Sequence, residues 1–229
     1  MGARRLGRSV SQWVAPEDRR VGILGGTFDP IHYGHLVIAE QVREALQLDR
    51  VLFVPAARPP HKLDVPISPA EDRAAMVKLA ISGNPAFAAC PIEMERDGPS
   101  YTVETLETLT DEARGDGIAR EFFFILSAEA AASLPTWRAP ARILELARLV
   151  VVPRPGFPAS DAVDTILAEM TPDPDRLIAV QTLPLAHSAS DIRSRAASGR
   201  SIRYLVPPAV ESYIRDHRLY LSTNQLRTA

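Results

Sequence analysis

His32 and His35 stand three residues apart, with Gly34 between them, directly after Gly25, Gly26, Thr27, Phe28, Asp29 and Pro30. Imidazoles gain and lose protons near neutral pH and hydrogen-bond well to anions. Two of them at this spacing can meet one phosphate. Val21 to Leu24, just upstream, is a short apolar run of the kind that forms a buried parallel strand. Gly25 and Gly26 follow where a chain leaving a sheet is expected to turn tightly. From His35 onward the pattern is helical, with Leu36, Ala39, Val42 and Leu46 as the buried stripe. The glycines and histidines are therefore predicted where a strand hands over to a helix. The N-terminus of that helix has free N–H groups and partial positive charge, which suit phosphate. The glycines at 22, 25 and 26 do not have the spacing of a dinucleotide fingerprint. A zinc pair fits His-x-x-His, but no cysteine is near and no third ligand is obvious. Taken alone, the stretch also reads as an ordinary turn with incidental histidines.

The elements that must position these groups continue the alternation. Val51 to Val54 is a second strand, so strand, helix and strand imply a right-handed unit of a parallel sheet. The loop from Pro55 to Lys62 is stiffened by prolines and ends in His61 and Lys62, donors suited to anions. Ser68-Pro69-Ala70-Glu71 has the form of a capping box with proline at the first helical position. Its helix is expected to reach about Ser82, with Ala75, Met76, Leu79 and Ala80 inward. Residues 87–95 read as a strand, and a helix is entered through Thr102. Glu121 to Leu126 is a buried strand with Ser127, Ala128 and Glu129 at its carboxyl end. A helix at 139–147, a strand at 149–152 ending near Arg154, a helix at 161–169 and a strand at 177–180 follow. His187 leads into another helix, capped by Ser188 or Ser190. Pro208 is placed in the first turn of a last helix with Val210, Tyr213 and Ile214 inward. The expected fold is α/β: a Rossmann-like, doubly wound parallel sheet with helices on both faces.

Composition narrows the field further. The 229 residues are 46% hydrophobic and 24% charged, ordinary for a globular protein with a large core. A net charge of −2 gives no footprint for non-specific nucleic-acid binding. No apolar run approaches membrane-spanning length. The one cysteine, Cys90, excludes an internal disulfide and suits a reducing cytoplasm. Residues 1–20 are a basic, weakly patterned stretch, expected to be a flexible extension outside the fold. Residues 21–220 are expected to form one domain, and 221–229 a tail.

Taken whole, GGTFDPIHYGH at 25–35 resembles the HxGH signature of the nucleotidylyltransferase superfamily, in the form found in bacterial nicotinate-nucleotide adenylyltransferases. Further segments match in collinear order: Pro59-Pro60-His61-Lys62, SYTVETL from Ser100, LPTW from Leu134, Arg154-Pro155-Gly156, the segment from Ser188 to Arg193, and YLVP from Tyr204. The sequence departs from the family at Ser127 and Glu129, where Gly and Asp are usual. It departs again at Ala189 for Ser and at His187 for Ile.

The resemblance implies a nucleotidylyltransferase-type fold. It also implies adenylyl transfer from ATP to nicotinate mononucleotide, giving nicotinate adenine dinucleotide and pyrophosphate in NAD biosynthesis. It assigns catalysis to His32, His35, Lys62 and Arg193. ATP is assigned to Gly25, Gly26, Thr27, Phe28, His35, Arg154, Ser188, Ser190 and Arg193. The second substrate is assigned to Asp29, His61, Lys62, Thr102, Glu129, Trp137 and Arg138. Mg²⁺ is implied with ATP rather than by a ligand cluster in the chain. No nucleic-acid or membrane partner is implied, and a homo-oligomer is compatible. Two alternatives stay open. One is a sibling enzyme acting on nicotinamide mononucleotide or phosphopantetheine. The other is a nucleotide sensor without catalysis.

Overall fold

A computed structural model describes residues 12–59, 66–154, 156–170, 173–183 and 187–221. Along the chain run β1 (Arg20–Gly26), α1 (Tyr33–Ala45), β2 (Arg50–Pro55), α2 (Ala70–Ile81), β3 (Phe87–Ala89) and α3 (Thr102–Gly115). Then come β4 (Glu121–Ser127), α4 (Ala128–Ala132), α5 (Pro140–Leu146), β5 (Arg148–Val152), α6 (Ala159–Glu169), β6 (Leu177–Ala179), α7 (Ala189–Ala197) and α8 (Pro208–Asp216). The strands form one parallel sheet in the order β3-β2-β1-β4-β5-β6. This is the doubly wound parallel sheet expected from the sequence, whose strand order the structure supplies. The direction of that order reverses between β1 and β4, so a crevice opens at the carboxyl ends of those two strands.

Alternate side chains of each central strand feed two separate cores, as the pleat requires. Ile23, Leu52, Phe124 and Val151 pack under α3, α4, α5 and α6. Phe53, Phe123, Ile125 and Val150 pack on the other face under α1, α2, α7 and α8. Burial on both faces explains why the strands read as unbroken apolar runs. Gly22 lets the loop after α1 sit close to β1, since a Cβ there would lie 2.9 Å from the Leu48 Cδ1.

Several expectations are corrected. Residues 12–20, expected to lie outside the fold, are packed: Val14 is 1% exposed within the core, and Asp18 pairs with Arg50. The strand expected over 87–95 stops at Ala89, and a short 3-10 turn covers Ile92–Glu95. Pro91, which has no N–H for a ladder, stands at the break. The capping box at Ser68 is not formed; Pro69 is the N-cap of α2 without a side-chain bond. The inward face of α2 is Arg73, Ala74, Met76, Val77 and Ile81, while Leu79 is 37% exposed. Gly25 and Gly26 remain in β1, in register with Val54 and Pro55.

Candidate active site

The turn after β1 is made by residues 27–30, with Phe28 in the left-handed region at φ 49°. That conformation is strained for a bulky residue and needs support from its surroundings. The Phe28 ring is 2% exposed and meets the His35 imidazole edge to face at 5.0 Å.

His32 is the N-cap of α1, and His35 lies in its first turn. The His32 backbone N–H donates to Nδ1 of His35 at 3.2 Å. Nδ1 is therefore an acceptor, and the His35 proton belongs on Nε2. The two imidazoles stack with centroids 3.8 Å apart. Nδ1 of His32 is sealed from solvent with no hydrogen-bond partner among the described residues. A proton there would be a buried donor with no acceptor, so Nε2 carries it in His32 as well. Both rings are thus set to donate through Nε2. Burial, then the charges of His187 and Arg154, push the His32 imidazole down from 6.5 to about 4. Burial, His32 and Arg154 hold His35 well below its ordinary value. Two stacked rings at this distance stay neutral because charging both would cost repulsion as well as desolvation. Gly34 leaves the space the stack needs: a Cβ there would lie 2.9 Å from Cε1 and Nδ1 of His32.

α7 brings a second helix N-terminus to the same turn. Ser188 is its N-cap, accepting from the Asp191 N–H at 3.0 Å. Ser190 accepts instead from Nη2 of Arg193 at 3.2 Å. Nη1 of Arg193 donates to the Asp29 carbonyl at 2.7 Å, which ties α7 to the turn before α1. His187 precedes the cap, and its ring lies 6.4 Å from that of His32, tilted 29°.

Asp29 is placed differently from the substrate contact expected of it. It is 2% exposed, and its carboxylate accepts from the Tyr220 hydroxyl at 2.7 Å and from the Ser68 N–H at 3.3 Å. Its role here is internal, joining the turn to the chain beyond α8. Arg73 is the matching staple. Its buried guanidinium donates to the carbonyls of Ser68, Thr27, Ala56 and Ala57 at 2.6–3.1 Å. The sequence reading missed both staples. The available signal was helical spacing, because Arg73 shares one face with Met76, Val77 and Ile81.

Glu129 and Arg154 form an ion pair, each half exposed, across the ends of β4 and β5. A third group gathers at the start of α3, where Thr102 is the first helical residue. Arg138 pairs with Glu104 at 2.7 Å and lies over the Tyr101 ring at 4.6 Å. Trp137, half-buried, donates its indole N–H to Ser133 at 3.0 Å. Ser100 accepts from the N–H groups of Ala57 and Arg58, linking the loop after β2 to this group. His61 and Lys62, singled out in the sequence, lie outside the described residues. The structure brings Phe28, His32, His35, Ser190 and Arg193 together, and separately brings Arg138 to the start of α3 at Thr102 through Tyr101 and Glu104, with Trp137 its chain neighbour packed edge-on to Phe124. Gly25, Gly26 and Thr27 lie at the end of β1. Among the described residues no group of three or more His, Cys, Asp or Glu side chains is arranged to hold a metal ion. No helix among them is long and apolar enough to cross a membrane.

Residues 23–195 match a family model described as cytidylyltransferase-like. A protein of Roseiflexus sp. strain RS-1 is 52% identical over 87% of this chain and 97% of its own. One from Thermomicrobium roseum is 48% identical over 88% and 91%. One from Thermus thermophilus is 46% identical over 88% and 99%. Each of the three bears the name "Probable nicotinate-nucleotide adenylyltransferase". The Plasmodium falciparum nicotinic acid mononucleotide adenylyltransferase complexed with NaAD has the same fold, with a TM-score of 0.71 at 17% identity. The alignment covers 88% of this chain and 97% of that one.

Proposed function

The chain belongs to the cytidylyltransferase-like family and, within it, to the nicotinate-nucleotide adenylyltransferases, and from that premise we propose how its residues carry out the reaction. The enzyme transfers the adenylyl group of ATP to nicotinate mononucleotide, a step of NAD biosynthesis. A phosphate oxygen of the mononucleotide attacks the α-phosphorus of ATP. The bond from that phosphorus to the bridging oxygen breaks, and pyrophosphate leaves with the electron pair. The attacking phosphate is already a nucleophile, so no side chain need become covalently attached. The protein's task is to hold two anionic groups in line and to stabilise the charge that moves onto pyrophosphate.

The observation that carries this reading is the stack of His32 on His35 at the first turn of α1, both set to donate from Nε2. Neutral donors accept two polyanions without the cost of burying cations between turnovers. Arg193, Ser188 and Ser190 at the start of α7 supply the second anion-facing helix terminus. Lys62 and His61 are assigned to the same phosphates from their place in the sequence. Thr102, Trp137 and Arg138 are assigned to the nicotinate ring and its carboxylate, for which a guanidinium and backbone N–H groups are apt partners. Arg154 and Glu129 are assigned to the adenosine side. Mg²⁺ would enter with ATP as part of the substrate, MgATP, and would help neutralise its phosphates. We place the enzyme in the cytoplasm, in keeping with the buried free thiol of Cys90.

The test is pyrophosphate release from MgATP with nicotinate or nicotinamide mononucleotide as acceptor. Strong preference for the nicotinate form is expected. Activity on the amide alone would move the assignment to a sibling enzyme. ATP binding without release on either acceptor would make the protein a sensor.

A further inference from the structure

We infer that His187 is a third imidazole of the phosphate site, donating to the triphosphate of ATP beside His32 and His35; the inference rests on the reaction proposed above. Three observations meet in this residue. First, its ring continues the stack. His35 and His32 are 3.8 Å apart, and His187 follows at 6.4 Å, within 29° of parallel to His32. Second, Nδ1 of His187 is sealed from solvent without a partner among the described residues, just as in His32, while Nε2 of neither ring is sealed and unpartnered. By the argument used for His32, the proton sits on Nε2. All three rings then present the same donor.

Third, His187 stands where two helix N-termini converge. It immediately precedes Ser188, the N-cap of α7. Its Cβ would lie 3.8 Å from a Cβ built on Gly34, in the first turn of α1. Arg193 locks the two helices together through the Asp29 carbonyl. Nδ1 of this histidine has no internal partner among the described residues. The ring adds one donor to a place where His32, His35 and Arg193 already offer theirs, with the Asp191 carboxylate beside it in the first turn of α7. The triphosphate is the ligand because His187 shares its helix start with Ser188, Ser190 and Arg193, whereas the groups assigned to the nicotinate ring collect at α3.

The experiment measures binding of ATP, adenosine and inorganic tripolyphosphate by calorimetry, alongside steady-state kinetics. His187→Ile fills the space and removes the donor. His187→Gln keeps an N–H at the reach of Nε2. In His187→Ile, affinity for ATP and tripolyphosphate is expected to fall about tenfold, the worth of one charge-assisted hydrogen bond. Adenosine affinity and the KM for nicotinate mononucleotide should stay put. His187→Gln should recover most of the loss, which a purely structural role would not give. Tripolyphosphate binding equal to the parent's in a folded His187→Ile variant overturns the inference while leaving the adenylyl transfer standing. Parent protein that makes no dinucleotide, yet binds tripolyphosphate in a His187-dependent way, overturns the reaction and keeps the site.

Discussion

A neutral imidazole can donate a hydrogen bond to a phosphate, but it becomes a buried cation if protonated in the empty stack. His32 therefore couples the site to pH. Its folded value is about 4, against 6.5 ordinarily. Between those values the unfolded chain binds more protons than the folded one. Stability is then complete above about pH 6.5 and falls as the pH drops towards 4, by about 3 kcal/mol for His32 alone. His35 is shifted the same way. Thermal midpoints measured from pH 7 to 4.5 should fall steeply in the parent and less steeply, though not flatly, in His32→Gln. Equal slopes would mean that His32 is not buried neutral. Bound ATP reverses the sign, because an anion favours the imidazolium. The His32 titration followed by NMR should move upward when ATP is added.

At the scale of elements, catalysis depends on how closely α1 starts against its own cap. Gly34 is buried in the first turn, and a Cβ there cannot coexist with the present His32 ring at 2.9 Å. Gly34→Ala should leave the fold intact, since alanine favours helix. It should nevertheless displace the imidazole by a fraction of an ångström to an ångström, and such a misplacement costs about a hundredfold in rate. A Gly34→Ala protein with normal kcat would show that the His32 ring has room to spare. The loop after β2 is controlled by an element too. Arg73 in α2 satisfies four carbonyls from three segments, where an apolar side chain would leave all four without this donor.

At the scale of the molecule, the chain end is part of the site's frame. Tyr220, beyond α8, donates to the buried Asp29 carboxylate, whose backbone carbonyl holds Arg193. One residue thus joins the turn after β1, the loop ending at Ser68, α7 and the C-terminal segment. Tyr220→Phe leaves a buried carboxylate oxygen without that donor, at about 2 kcal/mol. A melting temperature lower by roughly 4–8 °C is expected. An unchanged melting temperature would mean that water or another donor replaces the hydroxyl.

The sequence by itself determined the alternation of strands and helices, because unbroken apolar runs and helical periodicity record burial directly. It also placed His32, His35, Ser188 and Arg193 at helix starts, because caps and glycines are local signals. Where it misjudged, the deciding forces were not local. Arg73 is absent from the inward face expected of its helix, and four carbonyls from other segments are what hold it inward. Asp29 reads as a substrate ligand until Tyr220, from the far end of the chain, takes its oxygen. Residues 12–20 read as a leader until Asp18 meets Arg50. His187 is a single histidine in the sequence, and only the convergence of α1 and α7 makes it the third ring of a stack. Hydrogen bonds and stacking act over a few ångströms in space whatever the separation along the chain, so these roles were decided by the tertiary structure alone.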